Sequence, residues 1–599
     1  MAFERNTRII CTMGPAVRTV EMIRSLIRQG MNMARFNFSH GDHEYHGEGI
    51  RLVREAARLE GVPIALILDT KGPEIRTGQI KDGGTITLYN GQTIEVLSEA
   101  DAKLLYGDDG VYTTAERLTV SYAGLAQDIK TGARILIADG LFSLEVTIVE
   151  GKRIFCTVIN GGVLGSRKNV NVIGVRTRLP ALSDQDKADI KFGFEQGMDF
   201  IAASFVRKAA DVTVIQKYLA SLGSDMPVIA KIEDEEGLEN IEDIIRVSAG
   251  IMVARGDLGV QIPAERVPLE QKRIIRLCNQ AGKPVITATQ MLESMIKNPR
   301  PTRAEAGDVA NAILDGTDCV MLSGETANGQ FPEAAVSVMD QIARTVEASD
   351  EYKRILDERR NFLASSEDIA DAIADAAAQT ADRIGAVALV VPTLRGNTAR
   401  LISRHRPRRK IVAATPSETV QRRLLLHWGV VPIKVEQELD SESMIQQAIG
   451  AAIREGFAKK ADKVVVVAGI PLNSPLMTNS IRVHAIGNIL GRGLSGFGGR
   501  CTGRIVKAKT LEDAALALRK MGGEILVTHT LDESFIPILR VVDGVILEGV
   551  SEMPWELVRT INPSIVYVSQ VPQALITFEE HSTVTLDGAE KLIYEGALL

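Results

Sequence analysis

The sequence predicts an α/β protein built on a (β/α)8 TIM barrel with an inserted all-β lid domain, a following open α/β domain and an extra small α/β domain at the C-terminus. Through roughly the first 350 residues, short apolar runs rich in β-branched residues alternate with helical patterns, which is typical of β/α units and a parallel sheet. A segment of roughly a hundred residues with strand-and-turn character interrupts that alternation. A second series of strand and helix patterns begins near Glu351.

Eight strand-like runs lie in the first series, and eight is the number of strands that closes a barrel of this class. The runs are Arg8–Met13, Asn32–Phe38, Pro63–Leu68, Asp199–Phe205, Pro227–Ile232, Gly250–Ala254, Pro284–Thr289 and Cys319–Ser323. Helical patterns follow nearly every run, at Thr19–Gln29, His43–Leu59, Ser183–Gln196, Glu235–Val247, Leu269–Gln280, Arg303–Leu314 and Pro332–Glu347. The helix at Ser183 opens with a Ser-x-x-Asp capping box formed with Asp186.

The interrupting segment follows the third run, and its alternating strands and Gly-rich turns predict a small β domain inserted in that loop. An insertion at this place would act as a lid over the barrel. The Gly-rich run after Gly487 is interpreted as a linker. The predicted boundaries are 1–70 and 173–350 for the barrel, 71–172 for the lid, 351–487 for the open α/β domain and 488–599 for the extra domain.

Composition excludes several classes of protein. The net charge of −7 offers no electrostatic basis for binding nucleic acid. The five cysteines are widely spaced without a Cys-x-x-Cys pair, which favours a reducing cytoplasm over a disulfide framework or a zinc site. The N-terminus carries charges where a signal peptide needs an apolar core, and no apolar run reaches the ~18 residues that span a bilayer. We therefore expect a cytoplasmic protein, which also argues against reading Arg255-Gly256-Asp257 as a cell-adhesion loop.

Polar side chains follow most of the predicted strands, at the barrel end where active sites lie. They are Arg35, Asn37 and Ser39; Asp69, Thr70, Lys71, Glu74 and Arg76; Lys231 and Glu233; Arg255, Gly256 and Asp257; Thr287, Thr289 and Gln290; and Ser323, Glu325 and Thr326. Arg35, Asn37 and Ser39 are two residues apart, so an extended chain places them on one face. A chance grouping of solvated loop charges is the alternative for any one of these residues, but it explains the whole set poorly.

The residue types at these strand ends predict metal-assisted chemistry on a small phosphorylated anion. Gly256 lets backbone N–H groups approach an anion closely, and Glu233 and Asp257, from adjacent strands, could share a hard divalent cation. Positive charge for a phosphoryl group comes from Arg35, Arg76 and Lys231. Oxygen donors suited to an alkali-metal ion come from Asn37, Ser39, Asp69 and Thr70. These residues by themselves do not name the reaction.

The segments that carry these residues resemble the pyruvate kinase family. They read RIICTMGPA, ARFNFSHG, LDTKGPEIRTG, AKIEDEEGLENI, IMVARGDLGV, ITATQMLESM and SGETANG, and they are spread over ~320 residues. The resemblance implies transfer of a phosphoryl group from phosphoenolpyruvate to ADP, giving pyruvate and ATP, with Mg²⁺ (or Mn²⁺) and K⁺ as cofactors. It also implies a cytoplasmic homotetramer regulated by a phosphorylated metabolite.

The resemblance assigns a role to each matching position. The substrate and catalytic positions are Arg35 for the substrate phosphate, Lys231 for the transition state, and Gly256, Asp257 and Thr289 for the substrate carboxylate. Thr289, acting through a water, is one candidate proton donor to the enolate. The metal positions are Glu233 and Asp257 for Mg²⁺, and Asn37, Ser39, Asp69 and Thr70 for K⁺. Nucleotide contacts are implied at Arg76, Lys168 and His40, and Glu74 implies dependence on K⁺.

In the open α/β domain, the stretch Pro392–Arg400 follows a strand and opens a helix, and a helix N-terminus with Gly and Thr is suited to bind an anion. The resemblance implies a sugar-phosphate or nucleotide effector at Thr393, Arg395, Gly396, Asn397 and Thr398. The chain carries Arg395 where the family often has a small hydroxyl residue. Arg395 would either strengthen phosphate binding or occlude the pocket, and a purely structural loop is the alternative.

The last ~110 residues resemble the extra domain of some bacterial members of the family, which is similar to the phosphohistidine domain of enzymes that use phosphoenolpyruvate. That domain carries its reactive histidine in a Gly-Gly-x-Thr-Ser-His run, whereas the corresponding stretch here, VILEGVSEMPWELV, has no histidine. His529 and His581 lie in other contexts. We therefore expect this domain to serve packing or assembly rather than phosphoryl transfer.

Two other sequence signals are weak, and two other functions stay open as alternatives. His40, His43 and His46 open a predicted helix whose turn would spread them apart, and GRGLSG is followed by more glycine rather than by a helix, so neither predicts a metal or dinucleotide site. A lyase on the same barrel would use the Mg²⁺ positions but would not need Lys168 or Arg76. A non-catalytic sensor of phosphorylated metabolites would keep the run from Thr393 to Thr398 without needing Lys231.

Overall fold

The computed structural model describes residues 4–362, 368–438, 440–459, 462–471, 478–487, 489–518 and 524–596. They form two compact units. The first unit comprises Met1–Ala372 and Thr393–Glu436, and the second comprises Ile373–Pro392 and Gln437–Leu599. The finer division into five segments stays a prediction. No helix in the described ranges combines the length and the apolar character needed to cross a membrane.

The first unit opens with three strands and two helices: β1 (Arg8–Thr12), α1 (Val20–Gln29), β2 (Met33–Asn37), α2 (His43–Glu60) and β3 (Ala65–Asp69). Local sequence sets the helix limits. Thr19 and Asp42 cap the N-termini of α1 and α2, because each side chain accepts a hydrogen bond from a backbone N–H in the first turn. Gly30 and Gly61 follow the last helical residues with positive φ, a conformation that ends a helix at little cost only for glycine.

The segment after β3 folds mainly as strands with a core of its own. Its elements are β4 (Ile75–Arg76), β5 (Ile86–Leu88), β6 (Thr93–Ser98), α3 (Glu99–Tyr106), β7 (Arg117–Val120), α4 (Leu125–Asp128), β8 (Arg134–Ile137), β9 (Phe142–Glu150), β10 (Arg153–Asn160), β11 (Gly162–Leu164) and β12 (Asn169–Ile173). Seven strands form one sheet in the order β4-β12-β8-β9-β10-β6-β7, and β11 pairs with β5. Residues of β10 alternate between buried and more exposed, because one face covers the local core and the other meets water. The two short helices make the insertion less purely β than predicted.

The barrel resumes after the insertion. Its elements are α5 (Asp184–Glu195), β13 (Phe200–Ala203), α6 (Ala209–Ser221), β14 (Val228–Ile232), α7 (Glu235–Glu239), α8 (Ile241–Val247), β15 (Gly250–Ala254), α9 (Arg255–Gln261), α10 (Val267–Ala281), β16 (Val285–Ala288), α11 (Arg303–Asp315), β17 (Cys319–Leu322), α12 (Gly324–Ala327) and α13 (Pro332–Ala348). The strands close in the order β1-β17-β16-β15-β14-β13-β3-β2, which confirms the predicted eight-stranded barrel. The capping box of Ser183 and Asp186 at α5 is also confirmed. Side chains such as Ile10, Met33 and Met252 fill the barrel interior, so it is a packed core and not a pore.

The rest of the chain to residue 487 follows an α/β pattern. Its elements are α14 (Asp350–Phe362), α15 (Ile369–Arg383), β18 (Ala388–Pro392), α16 (Asn397–Arg404), β19 (Lys410–Thr415), α17 (Glu418–Arg423), β20 (Val430–Lys434), α18 (Ser441–Arg454), β21 (Lys463–Ala468) and β22 (Ser480–Ala485). In the first unit β19 pairs with β20 in parallel, and in the second β18 pairs in parallel with β21, which pairs antiparallel with β22. This part confirms the predicted C-terminal α/β domain.

The C-terminal segment forms an eight-stranded mixed sheet in the order β23-β30-β29-β25-β26-β27-β28-β24. Its elements are β23 (Ile489–Arg492), β24 (Ser495–Phe497), β25 (Arg500–Lys507), α19 (Leu511–Ala517), β26 (Glu524–Thr528), α20 (Ile536–Leu539), β27 (Gly544–Leu547), α21 (Trp555–Ile561), β28 (Val566–Ser569), α22 (Ala574–Thr577), β29 (Thr583–Asp587) and β30 (Leu592–Glu595).

The interpretation of the Gly-rich run after Gly487 as a linker is wrong, because β23, β24 and β25 occupy it. The glycines there allow neighbouring backbones to approach closely. A Cβ on Gly493 would lie 2.5 Å from the Ser569 carbonyl oxygen, and one on Gly496 would lie 2.6 Å from the Gly588 carbonyl oxygen. Close strand contact, and not chain freedom, therefore explains these residues.

Candidate active site

The predicted site residues of the barrel lie at one end of it, where the strands finish. Asn37 and Asp69 are the last residues of β2 and β3, and they are partners across that parallel pair. Lys231 is the fourth residue of β14, and Glu233 follows the end of that strand. Barrel closure therefore brings together side chains that are far apart in sequence.

Asp69 is the centre of a buried charge network. Its Oδ2 accepts a hydrogen bond from Arg35 Nε at 2.6 Å, and its Oδ1 accepts one from Lys231 Nζ at 2.9 Å. Burial alone would raise the pKa of Asp69, but the two cations outweigh burial and hold that pKa below its usual value. The carboxylate therefore stays ionised and orients both cations.

Lys231 Nζ has three oxygen partners, one for each of its N–H groups. Besides Asp69, it contacts Ser204 Oγ at 2.7 Å and Glu233 Oε1 at 3.0 Å. Burial would lower the pKa of Lys231, but Asp69 and Glu233 outweigh burial and raise that pKa. Lys231 is therefore an ammonium ion fixed in position by side chains from neighbouring strands.

Glu233 and Asp257 form the acidic part of the site. Glu233 Oε2 accepts the Phe205 N–H at 2.6 Å, and burial together with the nearby charge of Asp257 raises the pKa of Glu233 to about 7, against the opposing effect of Lys231. Burial likewise raises the pKa of Asp257, at the start of α9. A cation shared by these two buried carboxylates would stabilise the ionised form of both.

This pair fits Mg²⁺, which binds proteins through one or two carboxylates and takes its remaining oxygens from phosphate groups and water. Within the described part of the chain, no group of three or more His, Cys, Asp or Glu side chains could hold a metal by itself. The site therefore suits a cation that arrives with a phosphorylated substrate.

The four oxygen donors predicted for an alkali-metal ion lie along the ends of β2 and β3. Asn37 Oδ1 accepts the Ser39 N–H at 3.1 Å, and Thr70 Oγ1 accepts the Ser204 N–H at 3.1 Å. Asp69, the cross-strand neighbour of Asn37, adds a carboxylate. The donors are all oxygens, which is the ligand type that such an ion requires.

Gly256 and Thr289 meet at the neighbouring strand ends. The Gly256 N–H donates to Thr289 Oγ1 at 2.7 Å, and that hydroxyl donates to the Ala288 carbonyl oxygen at 2.7 Å. Thr289 has a φ of 67°, a left-handed conformation that β-branched residues rarely adopt. The structure thus brings Gly256 and Thr289 together, with Thr289 in an unusual backbone conformation, and binding of a carboxylate there stays a prediction.

A cavity of about 350 Å³ adjoins Asp257, between the barrel and β12 of the insertion. It is lined in part by Glu74, Asn171, Phe205, Arg207 and Asp257. Its position next to Asp257 leaves room for a ligand larger than the small anion of the strand ends.

The predicted nucleotide contacts are only partly brought together. Arg76 Nη2 donates to Glu74 Oε2 at 2.6 Å, and Arg76 is paired across β4 and β12 with Asn169, the residue after the exposed Lys168. His40 lies on the separate loop after β2, where its carbonyl oxygen contacts His46 Nε2 at 2.7 Å. The structure therefore places Arg76 close to Lys168, and His40 on a different loop.

The histidines of that region are held by structural contacts. His43 Nε2 lies 2.7 Å from Asp189 Oδ1, and its ring stacks on Phe192 with centroids 4.5 Å apart. The His46 ring stacks on Phe38 with centroids 4.1 Å apart. These contacts explain the three-residue spacing without a metal.

The loop predicted to bind an effector forms a helix N-terminus. Thr393 Oγ1 accepts the Gly396 N–H at 2.9 Å, and Gly396, with a φ of 82°, directly precedes Asn397, the first residue of α16. Thr398 is buried and Arg395 is exposed. The local geometry is the one expected, and binding of an effector there stays a prediction.

Ser204 and Thr12 take part in the network but were not among the predicted site residues. Ser204 Oγ donates to the Thr70 carbonyl oxygen at 2.6 Å and accepts from Lys231, and Thr12 Oγ1 accepts from Arg35 Nη1 at 3.0 Å. Both residues lie at strand ends, since Thr12 is the last residue of β1 and Ser204 directly follows β13, so the strand-end rule could have found either.

Comparison with known proteins matches two stretches of the chain to two domain models of one family. Residues 4–336 match the family model for the pyruvate kinase barrel domain, and residues 371–484 match that for the pyruvate kinase alpha/beta domain. A pyruvate kinase of Geobacillus stearothermophilus is 45% identical over 597 residues, which is 99% of each chain. One from Staphylococcus aureus is 41% identical over 595 residues, again 99% of each chain. A crystal structure of a pyruvate kinase from Cryptosporidium parvum aligns with a TM-score of 0.75 at 41% identity, covering 80% of this chain and 96% of that one.

Proposed function

This chain belongs to the pyruvate kinase family, and on that premise we propose that the charge network at its barrel mouth transfers the phosphoryl group of phosphoenolpyruvate to ADP. The observation that carries the proposal is the charged Lys231, held between Asp69 and Glu233 at the carboxyl end of a closed barrel. Phosphoryl transfer depends on positioning and charge neutralisation, and a fixed cation beside two carboxylates supplies both.

In the forward reaction the bond between phosphorus and the enol oxygen of phosphoenolpyruvate breaks, and a terminal oxygen of ADP forms the new bond to phosphorus. Arg35, oriented by Asp69 and Thr12, would bind the phosphoryl group. Lys231 would stabilise the negative charge that develops on the enol oxygen. The enolate carbon then takes up a proton, and Thr289 acting through a water is a candidate to supply it.

The ion sites follow from the donor sets. Glu233 and Asp257 would hold Mg²⁺ or Mn²⁺, which neutralises phosphoryl charge when bound. K⁺ would be held by Asn37, Ser39, Asp69 and Thr70. Glu74 lines the cavity next to Asp257, and the family resemblance of that position implies that activity depends on K⁺. Gly256 and Thr289 would receive the substrate carboxylate, with Arg76, Lys168 and His40 as contacts for the nucleotide.

Further parts of the proposal concern regulation and assembly. A phosphorylated metabolite would bind at the N-terminus of α16, through the run from Thr393 to Thr398, and the insertion at 71–172 would close as a lid over the nucleotide. We propose a homotetramer in the cytoplasm, in line with the family resemblance and with the reducing compartment that the cysteines indicate. The segment 488–599 would serve packing or assembly, since the stretch after β27 lacks the reactive histidine.

Pyruvate formation from phosphoenolpyruvate and ADP tests the proposal, with and without Mg²⁺, in K⁺ and in Na⁺ buffers, for the wild type and for Lys231→Ala. We expect activity that requires Mg²⁺, rises with K⁺ and falls about 100-fold or more in kcat in the variant, because a preorganised cation is lost. Wild-type activity indifferent to K⁺ would keep the reaction and reject the ion assignment. No ADP-dependent pyruvate, even with sugar phosphates or AMP added, would point to a lyase or a sensor.

A further inference from the structure

The turn that carries Thr289 is strained and is clamped from two sides by buried charged groups. Thr289 and Gln290 directly follow β16 with φ values of 67° and 53°. Two consecutive non-glycine residues in the left-handed region persist only where their surroundings hold them there. The structure shows which groups do so.

Arg255 holds the first part of the turn. Its Nη2 donates to the Thr289 carbonyl oxygen at 2.7 Å and its Nε donates to the same oxygen at 3.2 Å. Asp308 of α11 binds Arg255 Nη1 through both carboxylate oxygens, at 2.6 and 2.8 Å. The guanidinium is therefore fully engaged with the protein, so its charge serves the turn and is not directed at a substrate.

Glu325 holds the end of the same turn. This side chain is 0% exposed, and its Oε1 accepts the Leu292 N–H at 3.0 Å while its Oε2 accepts the Ser323 N–H at 2.7 Å. Glu325 forms no ion pair among the residues that the structure describes. A buried carboxylate committed to two backbone amides is costly to keep, which indicates that the position of those amides matters.

We propose that Arg255 and Glu325 are positioning residues for the carboxylate of phosphoenolpyruvate, which they act on through the turn from Thr289 to Leu292. They fix the Thr289 hydroxyl against the Gly256 N–H, the pair that would receive the carboxylate. The inference rests on the proposed function. It adds that the affinity for phosphoenolpyruvate, and not that for ADP, depends on two side chains that touch neither substrate.

The test compares Arg255→Lys and Glu325→Gln with matched controls that keep the same chemical change outside the turn. Arg273→Lys alters an arginine of α10 that also donates to a carbonyl oxygen and a carboxylate, and Glu333→Gln alters an exposed glutamate of α13. Equilibrium binding of phosphoenolpyruvate, ADP and inorganic phosphate is measured by calorimetry with Mg²⁺ and K⁺ present. Pyruvate formation by the wild type reports separately on the proposed function.

We expect the Kd for phosphoenolpyruvate to rise about tenfold in each of the two variants, while the Kd values for ADP and phosphate and those of both controls stay within about twofold. When Thr289→Ala is already present, adding either substitution should raise the Kd for phosphoenolpyruvate by less than about twofold, because the effects of residues that act as one unit are not additive. If affinity for phosphoenolpyruvate and for ADP fell equally, or if the effects added fully to that of Thr289→Ala, Arg255 and Glu325 would have only a structural role and the inference would be wrong.

Folding is checked by the thermal midpoint of each variant. If Arg255→Lys fails to fold, Asp308→Asn replaces it, because that side chain is 36% exposed and its loss weakens the Arg255 clamp from outside. A smaller loss confined to phosphoenolpyruvate is expected there, and an unchanged Kd would overturn the inference. A wild type that makes pyruvate while the variants bind normally would overturn the positioning role alone, whereas an inactive wild type that does not bind phosphoenolpyruvate would overturn both.

Discussion

The barrel mouth and the loop from Thr393 to Thr398 both follow buried strands, yet they hold their polar groups in different ways. At the mouth, Lys231 contacts Asp69, 162 residues away in sequence, at 2.9 Å. In the loop, the Gly396 N–H donates to the hydroxyl of Thr393, only three residues earlier. The distant partners meet only because the barrel closes, whereas a helix N-terminus is complete within one turn.

This difference indicates different uses for the two regions. Arg35, Asp69, Lys231 and Glu233 pair with one another, which preorganises the site for one reaction. Arg395, in contrast, is exposed and makes no ion pair or hydrogen bond within the described part of the chain. A free cation at a helix N-terminus suits reversible binding of an anion.

Removing the charge at the centre of the network has the largest expected effect, and it tests whether the barrel site depends on its paired charges. Asp69→Asn leaves Arg35 and Lys231 buried with less compensation, so we expect kcat to fall about 100-fold or more and the thermal midpoint to fall as well. Steady-state kinetics and thermal unfolding measure the two effects. The control, Ser204→Ala, removes a neutral partner of Lys231 and should lower kcat less than about tenfold. A charge-independent site would show similar losses in the two variants.

Changing the exposed cation of the loop sharpens the other side of the comparison. Arg395→Ser should leave the basal kcat and the KM for phosphoenolpyruvate unchanged, because Arg395 makes no ion pair or hydrogen bond with a barrel residue that the structure describes. It should raise the concentration of an activating sugar phosphate or AMP needed for half-maximal effect about threefold to tenfold, since one phosphate partner is lost.

The control for this loop variant is Arg408→Ser, which removes an exposed arginine paired with Asp357 and should change none of these constants. Tighter binding of the effector by Arg395→Ser would show that Arg395 occludes the pocket. No response to any phosphorylated metabolite in wild type or variant would favour a structural loop.

The smallest expected effect concerns His427, a buried residue after α17. Burial, with added repulsion from Arg400, Arg406 and Arg8, lowers the pKa of His427 well below its usual value. The native state therefore keeps His427 neutral while the unfolded chain takes up a proton below about pH 6.5, so stability falls as the pH falls below that value.

Thermal midpoints at about pH 7.5 and pH 5.5 should differ less in His427→Gln than in the wild type, because glutamine does not take up a proton when the chain unfolds. His529→Gln, which alters an exposed histidine beside Glu548, serves as the control and should behave like the wild type. An identical pH response in wild type and His427→Gln would reject this contribution.

Much of the fold could be predicted because its signals are local. The eight strand runs, the helices between them and the capping box at Ser183 depend on residues within a turn or a strand of each other. The misread Gly-rich run shows the limit of such signals. Its glycines look like a flexible linker in sequence, but Gly493 and Gly496 leave room for the carbonyl groups of Ser569 and Gly588, which lie up to about ninety residues further along the chain.

The site divides in the same way. The strand-end rule singled out Arg35, Asp69, Lys231, Glu233 and Asp257, because each lies near or just after the carboxyl end of a buried run. It named Arg255 and Glu325 without a role, since nothing in the sequence shows that both grip one turn.

The sequence alone therefore determined which residue types stand at the barrel mouth, because strand alternation and the position of each strand end are written within a few residues. Only the tertiary structure decided which of them touch. Lys231 lies between Asp69 and Glu233, and Arg255 donates to the Thr289 carbonyl oxygen. These contacts form because closing eight strands fixes the distances between residues that are remote in the chain. Charge–charge contacts depend steeply on those distances, and a linear sequence does not contain them.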